Sequence, residues 1–170
     1  MSAVPELRDE LASDAGAIHA LTIDAFRDAA HRSGTEPFIV DALRRDGALS
    51  VSLVAVRDGV IVGHAAASPV RIAGRDIGWH GLGPVSVAPR CQREGIGRRL
   101  VGAVLSRLRA QGAAGCVVLG DPAYYGHFGF HVSPSLRLPG VPGEYFQALP
   151  FGDAVPEGDV AYAPAFDTTA

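Results

Sequence analysis

The chain has 170 residues, with 15 basic and 18 acidic side chains and a formal charge of −3. With 48% hydrophobic and 19% charged residues it holds enough apolar material for one core, so wholesale disorder is excluded. A slightly acidic chain lacks the basic field of a nucleic-acid binder, and no apolar run approaches the roughly 20 residues that span a bilayer.

In chain order, residues 1–10 carry acids and a proline where a signal peptide needs a basic patch and an apolar stretch, so a soluble, cytoplasmic protein with no membrane partner is expected. Ile18, Leu21, Ile23 and Phe26 follow at near-helical spacing, with Ser13 and Asp14 as caps. Residues 36–45 form a second helix, with Phe38, Ile39, Ala42 and Leu43 on one side. Residues 49–56 read as a strand, Asp58-Gly59 as a hairpin turn and residues 60–67 as the return strand. Further strands are expected over 72–79 and 82–87.

Residues 95–111 give the strongest helix, with Ile96, Leu100, Val101, Val104, Leu105 and Leu108 in one apolar stripe. Cys116 to Leu119 is fully apolar, as in a buried central strand. Strand, helix and strand in that order imply parallel pairing. After Asp121-Pro122 come a helical turn and a glycine- and proline-rich tail, with strand-like pieces near 145–149 and 160–162. The reading is one mixed α/β domain over residues 1–170. A strand edge in the tail could support a homodimer or lie covered.

All basic residues are arginine, and the chain contains no lysine and no asparagine. The lysine-dependent P-loop, a Schiff-base lysine and a Ser-x-x-Lys nucleophile are therefore excluded. HExxH and GxSxG are also missing. Cys91 and Cys116 stand alone, and His19, His31, His64 and His131 show no metal-ligand spacing, so neither a disulfide framework nor a metal site is expected.

The segment from Val85 to Arg99 joins a strand to the N-terminus of the long helix. Such a junction suits an anion, because unpaired N–H groups and the positive end of the helix dipole meet there. Four arginines fall in residues 90–99 against a single acid, Glu94. On spacing alone, a phosphate-binding loop and a tight turn with solvated arginines both remain open. A dinucleotide GxGxxG is disfavoured, because Leu100 stands where the third glycine belongs.

Gln92-x-x-Gly95-x-Gly97, preceded by Val85-x-Val87, resembles the pyrophosphate motif of the GNAT superfamily of acyl-CoA-dependent N-acetyltransferases. Leu119-Gly120-Asp121-Pro122 with Tyr124-Tyr125 and Phe128-Gly129-Phe130 is similar to one bacterial subgroup of predicted N-acetyltransferases. The close likeness covers about residues 82–130. It implies a central mixed, mostly antiparallel sheet, splayed between its two parallel central strands and flanked by helices. It also implies acetyl-CoA as co-substrate, with Val85 and Val87 pairing with pantetheine and Gln92, Arg93, Gly95, Gly97 and Arg98 around the pyrophosphate.

By the same resemblance the partner is an amine on a small molecule, peptide or protein, attacked directly in a ternary complex, and Tyr125 is the general acid. Without the resemblance Tyr125 reads as an amphipathic core residue, and Tyr124 reads as packing. The family's asparagine before the tyrosine and its glutamate base are both missing. His80, Glu144, Glu36 and His127 are candidate bases, and none is assigned. Cys91 reads as a bystander thiol, and Trp79, Phe128 and Phe130 as core. A catalytically silent acyl-CoA-binding module is the alternative reading.

Overall fold

The computed structural model describes residues 3–29 and 33–169; His31 lies outside them. The hairpin forms as expected. β2 (Val51–Arg57) turns through Asp58 and Gly59, both left-handed, into β3 (Val60–Pro69). β1 (Glu6–Asp9), which sequence reading missed, pairs antiparallel with β2.

The expected strands over 72–79 and 82–87 are instead a two-residue β4 (Arg71–Ile72) and one continuous β5 (Trp79–Val87). Residues 72–75 close a tight turn between the Ile72 and Arg75 backbones, which uses up the segment assigned to the earlier strand. Pro84 sits inside β5, not at its start. It is tolerated there because the β3–β5 register shifts between Ala65 and Ala67, where Gly83 and Pro84 face Ala66.

α3 (Ile96–Ala110) buries the stripe read from the sequence: Ile96, Leu100, Val101, Val104, Leu105 and Leu108. Gly63 lets this helix close on the sheet, since a Cβ there would lie 2.8 Å from Leu100 Cδ1. The crossover delivers β6 (Gly115–Leu119) parallel to β5, and β8 (Phe146–Pro150) adds antiparallel to β6. The large sheet therefore runs β1-β2-β3-β5-β6-β8 and is antiparallel except at β5–β6. A bridge from His131 to Ala148 partly covers the β8 edge. A second sheet, β4-β9-β7, joins β4, β7 (Leu136–Arg137) and β9 (Gly158–Ala161). Among the described residues, no helix is long and apolar enough to cross a membrane.

α1 (Ala15–Phe26) and α2 (Glu36–Arg45) cover the face opposite α3. α1 buries Ile18, Leu21 and Thr22 and leaves Ile23 43% exposed, so the expected apolar stripe is one residue out of phase. Asp14 precedes α1 without capping it; its carboxylate takes the Leu11 N–H and pairs with Arg8.

From α2 a polar chain runs inward, part-buried at Arg44 and Glu10 and buried at Ser52 and His64. Arg44 donates to Glu10 at 2.8 Å, Ser52 donates to Glu10, and Ser52 Oγ lies 2.8 Å from His64 Nε2. The serine's one proton goes to the carboxylate, so His64 must donate from Nε2, which leaves the occluded Nδ1 with no partner. Burial, opposed by Glu10 and reinforced by Arg44, pushes the His64 pKa down to about 4.

A group depressed on folding stabilises above its unfolded pKa and loses that stabilisation as pH falls. His64 should cost the fold about 2 kcal/mol between pH 7 and pH 4.5, because the unfolded chain takes up a proton that the folded chain refuses. The lowered Glu10 carboxyl acts in the same direction. Urea midpoints at the two pH values measure this, and His64→Gln should flatten the slope. Equal midpoints for the wild type would disprove the neutral buried histidine.

Candidate active site at the splayed strands

β5 and β6 share only three register pairs, Trp79↔Gly115, His80↔Cys116 and Gly81↔Val117. Beyond them the two strands part. Residues 82–87 keep β3 on one side and residues 118–119 keep β8, but their inner edges face an open wedge. Backbone N–H and C=O groups on such edges need partners from outside the sheet.

The wedge leads to the loop before α3. Gly95 caps that helix at φ 83°, and Arg93 is left-handed at φ 67°, an uncommon state for a residue with a side chain. Left-handed residues in such a loop gather N–H groups into an anion-binding concavity, next to the positive end of a 15-residue helix. Gln92 Nε2 ties the loop back to the Val87 carbonyl at 3.3 Å.

A cleft of about 440 Å³ opens here. Val87, Gln92, Arg93, Gly95, Gly97 and Arg98 all line it, together with Cys91 and Tyr124. Val85 lies one alternation back on β5, outside this lining but on the same unpaired edge. Gly97 gives the floor room: a Cβ there would stand 3.2 Å from Tyr124 Oη and 3.6 Å from Val87 Cγ2.

The loop's charges divide by partner. Glu94 pairs with Arg57 at 3.0 Å, and Arg99 donates to the Pro5 carbonyl at 2.9 Å. Arg93 and Arg98 have no hydrogen-bond or ion-pair partner among the described residues, so they are the two cations available to an anion in the cleft.

α4 (Pro122–Tyr125) carries both tyrosines, capped by the Asp121 carboxylate on the Ala123 N–H at 3.0 Å. Tyr124, assigned to packing from sequence, lines the cleft. Tyr125 turns the other way, onto the core near Gly120, with its ring 5.9 Å from Phe130. Burial, with Tyr124 and Cys116 nearby, pushes the Tyr125 phenol up to about 12. It has no hydrogen-bond partner among the described residues.

None of the four candidate bases lines this cleft. His80 stands in the paired foot of β5 and bonds Ser50 Oγ at 3.0 Å; burial lowers its pKa. Glu36 lines a separate hollow of about 230 Å³ with Thr22 and Phe26, and its Oε2 is occluded and unpartnered. Glu144 and His127 are exposed. Cys91 is buried against the Arg57 guanidinium at 3.6 Å. No group of three or more possible metal ligands occurs among the described residues.

The sequence pattern of the acetyltransferase (GNAT) family matches residues 15–130. The chain belongs to the GNAT acetyltransferase family. It is 39% identical over 128 residues to YhbS of Escherichia coli strain K12, named an uncharacterized N-acetyltransferase, covering 75% of this chain and 74% of that protein. A GNAT acetyltransferase from Brucella melitensis, solved in complex with acetyl-CoA, is 49% identical with a TM-score of 0.87, covering 96% of this chain and 98% of that one. YhbS of Escherichia coli, solved in complex with CoA, superposes with a TM-score of 0.90 at 34% identity, covering 100% of this chain and 96% of that one. The splayed sheet is thus the GNAT fold, and its mostly antiparallel order with one parallel pair agrees with the sequence reading.

Gly97→Glu should abolish CoA binding in titration calorimetry, because both bulk and negative charge enter the cleft floor. Far-UV circular dichroism should remain that of the wild type. Unchanged affinity would remove the loop from cofactor binding.

Proposed function

We propose that this chain transfers the acetyl group of acetyl-CoA to an amine by direct attack in a ternary complex, residues 1–170 acting as one acyl-CoA N-acyltransferase domain. The observation that carries the reading is the three-pair parallel ladder opening into a cleft with two unpartnered arginines at a helix N-terminus. The Brucella melitensis relative, bound to acetyl-CoA, supports the same occupant for this cleft.

The residues divide the task. Val85 and Val87 offer the unpaired β5 edge to the pantetheine amides, as an added strand would use it. The amides around Gly95 and Gly97, with Gln92, Arg93 and Arg98, hold the pyrophosphate. Tyr124 adds a hydroxyl to that lining.

An amine attacks only after it loses its proton, which here passes to solvent. Attack forms the C–N bond and a tetrahedral oxyanion, which a fixed N–H near residues 85–87 stabilises. Collapse breaks the C–S bond, the thiolate takes a proton from Tyr125, and the proton that the adduct's nitrogen must still lose to become an amide restores the phenol. Burial keeps that phenol protonated well above neutral pH. The hollow beside Thr22 gives the acceptor an approach close to β5, since Thr22 Oγ1 lies 3.5 Å from Ser86 Oγ.

The test is thiol release from acetyl-CoA with amino acids, polyamines, aminoglycosides and peptides. At least one class should release CoA above the no-amine background. Tyr125→Phe should then lower kcat by about a hundredfold and leave the acetyl-CoA Kd within about twofold. Acetyl-CoA bound without release by any amine would favour the silent acyl-CoA-binding module. An unchanged kcat would return Tyr125 to packing.

A further inference from the structure

The closed end of the wedge is built from residues distant in sequence. Gly81 is the last β5 residue paired with β6, and Ser68 stands opposite it on β3. On the face shared with α1 and α2, the space a Gly81 side chain would need is filled by the ring of Tyr162. Its Cδ1 lies 2.8 Å from that Cβ position, and Cε1, beside the hydroxyl, lies nearer still. Val70 Cγ1 closes the same space at 3.1 Å. Tyr162 follows β9 directly and is held by Phe166, with ring centroids 4.9 Å apart.

The other face is walled by Tyr125 and Leu82, and the Cys116 thiol rests against the Leu82 amide. Neither phenol has a hydrogen-bond partner among the described residues, and the buried Ser68 Oγ is also unpartnered. The end of the wedge is therefore covered by the Tyr162 ring on one face and by Tyr125 and Leu82 on the other.

We infer that Tyr162, seated on Gly81, is the residue that limits the acyl group to acetyl by closing the end of the wedge against longer chains. This rests on acetyl-CoA occupying the wedge as proposed above. The phenol acts by occupancy, so removing its ring lengthens the space beyond the thioester and leaves the pyrophosphate loop untouched.

Calorimetric titration with CoA, acetyl-CoA and butanoyl-CoA tests this without any acceptor. The wild type should favour acetyl-CoA over butanoyl-CoA by at least about tenfold, the discrimination a site can draw from added methylenes. Tyr162→Ala should reduce that ratio at least about fivefold, with CoA affinity within about twofold. Tyr162→Leu, which keeps apolar cover on Gly81, should move the ratio in the same direction and decides the matter if the alanine variant does not fold. A wild type that binds both acyl-CoAs equally, or a folded variant that keeps the wild-type ratio while binding CoA normally, overturns the inference alone. A wild type that binds neither CoA nor acetyl-CoA overturns the cofactor reading and this inference with it.

Discussion

The site depends on a mismatch between two strands. β5 keeps β3 beside it along nearly its whole length and β6 for only three residues. The register shift opposite Ala66, where Gly83 and Pro84 occupy the space of one residue, bends β5 just after its last parallel pair. A bulge increases local twist, so the strand leaves its parallel neighbour while keeping the antiparallel one. What would be a continuous central ladder becomes two edges in need of hydrogen-bond partners, inside a sheet whose faces are covered by α1, α2 and α3.

Charge acts at the mouth of this opening and is narrower than a count of arginines suggests. Two loop charges are spent on structure, Glu94 on Arg57 and Arg99 on the Pro5 carbonyl, and both anchor the loop to the first half of the chain. Arg93 and Arg98 keep their donors, and the left-handed backbone at Arg93 and Gly95 fixes the amides beside them. A loop held on both sides does not have to become ordered around an anion, which lowers the cost of binding one.

Local signals were legible in the sequence. The α3 stripe, the Asp58-Gly59 hairpin and the crossover into β6 each follow from short-range pattern, and each formed as read. β1 and β7 were missed because four and two residues carry no periodicity. The β4–β5 boundary failed because the tight turn at Ile72 to Arg75 has no proline or Asn-Gly to announce it. Ile23 was misplaced because Thr22, bonded to the Ile18 carbonyl and facing Ser86, takes the inward position that hydrophobicity assigned to its neighbour.

In the site, the cleft lining at the start of α3 was legible because its residues are contiguous. The two tyrosines were not separable, since adjacent positions on a single helical turn point to different sides and only the tertiary setting tells which meets the cleft. Tyr162 had no local signal at all.

Three glycines in this sheet, and Gly120 just after β6, serve as seats for large side chains from elsewhere in the chain. Gly63 receives Leu100, Gly81 receives Tyr162, Gly115 receives the Trp79 indole, and Gly120 receives Tyr125. None of these positions offers a reactive atom, yet a methyl group at any of them would meet a side chain already in place. A saturation scan of tolerated residues would therefore mark these empty sockets as strongly as the groups that touch substrate. Intolerance at Gly115 would report the geometry of a tryptophan, and intolerance at Gly120 that of a phenol.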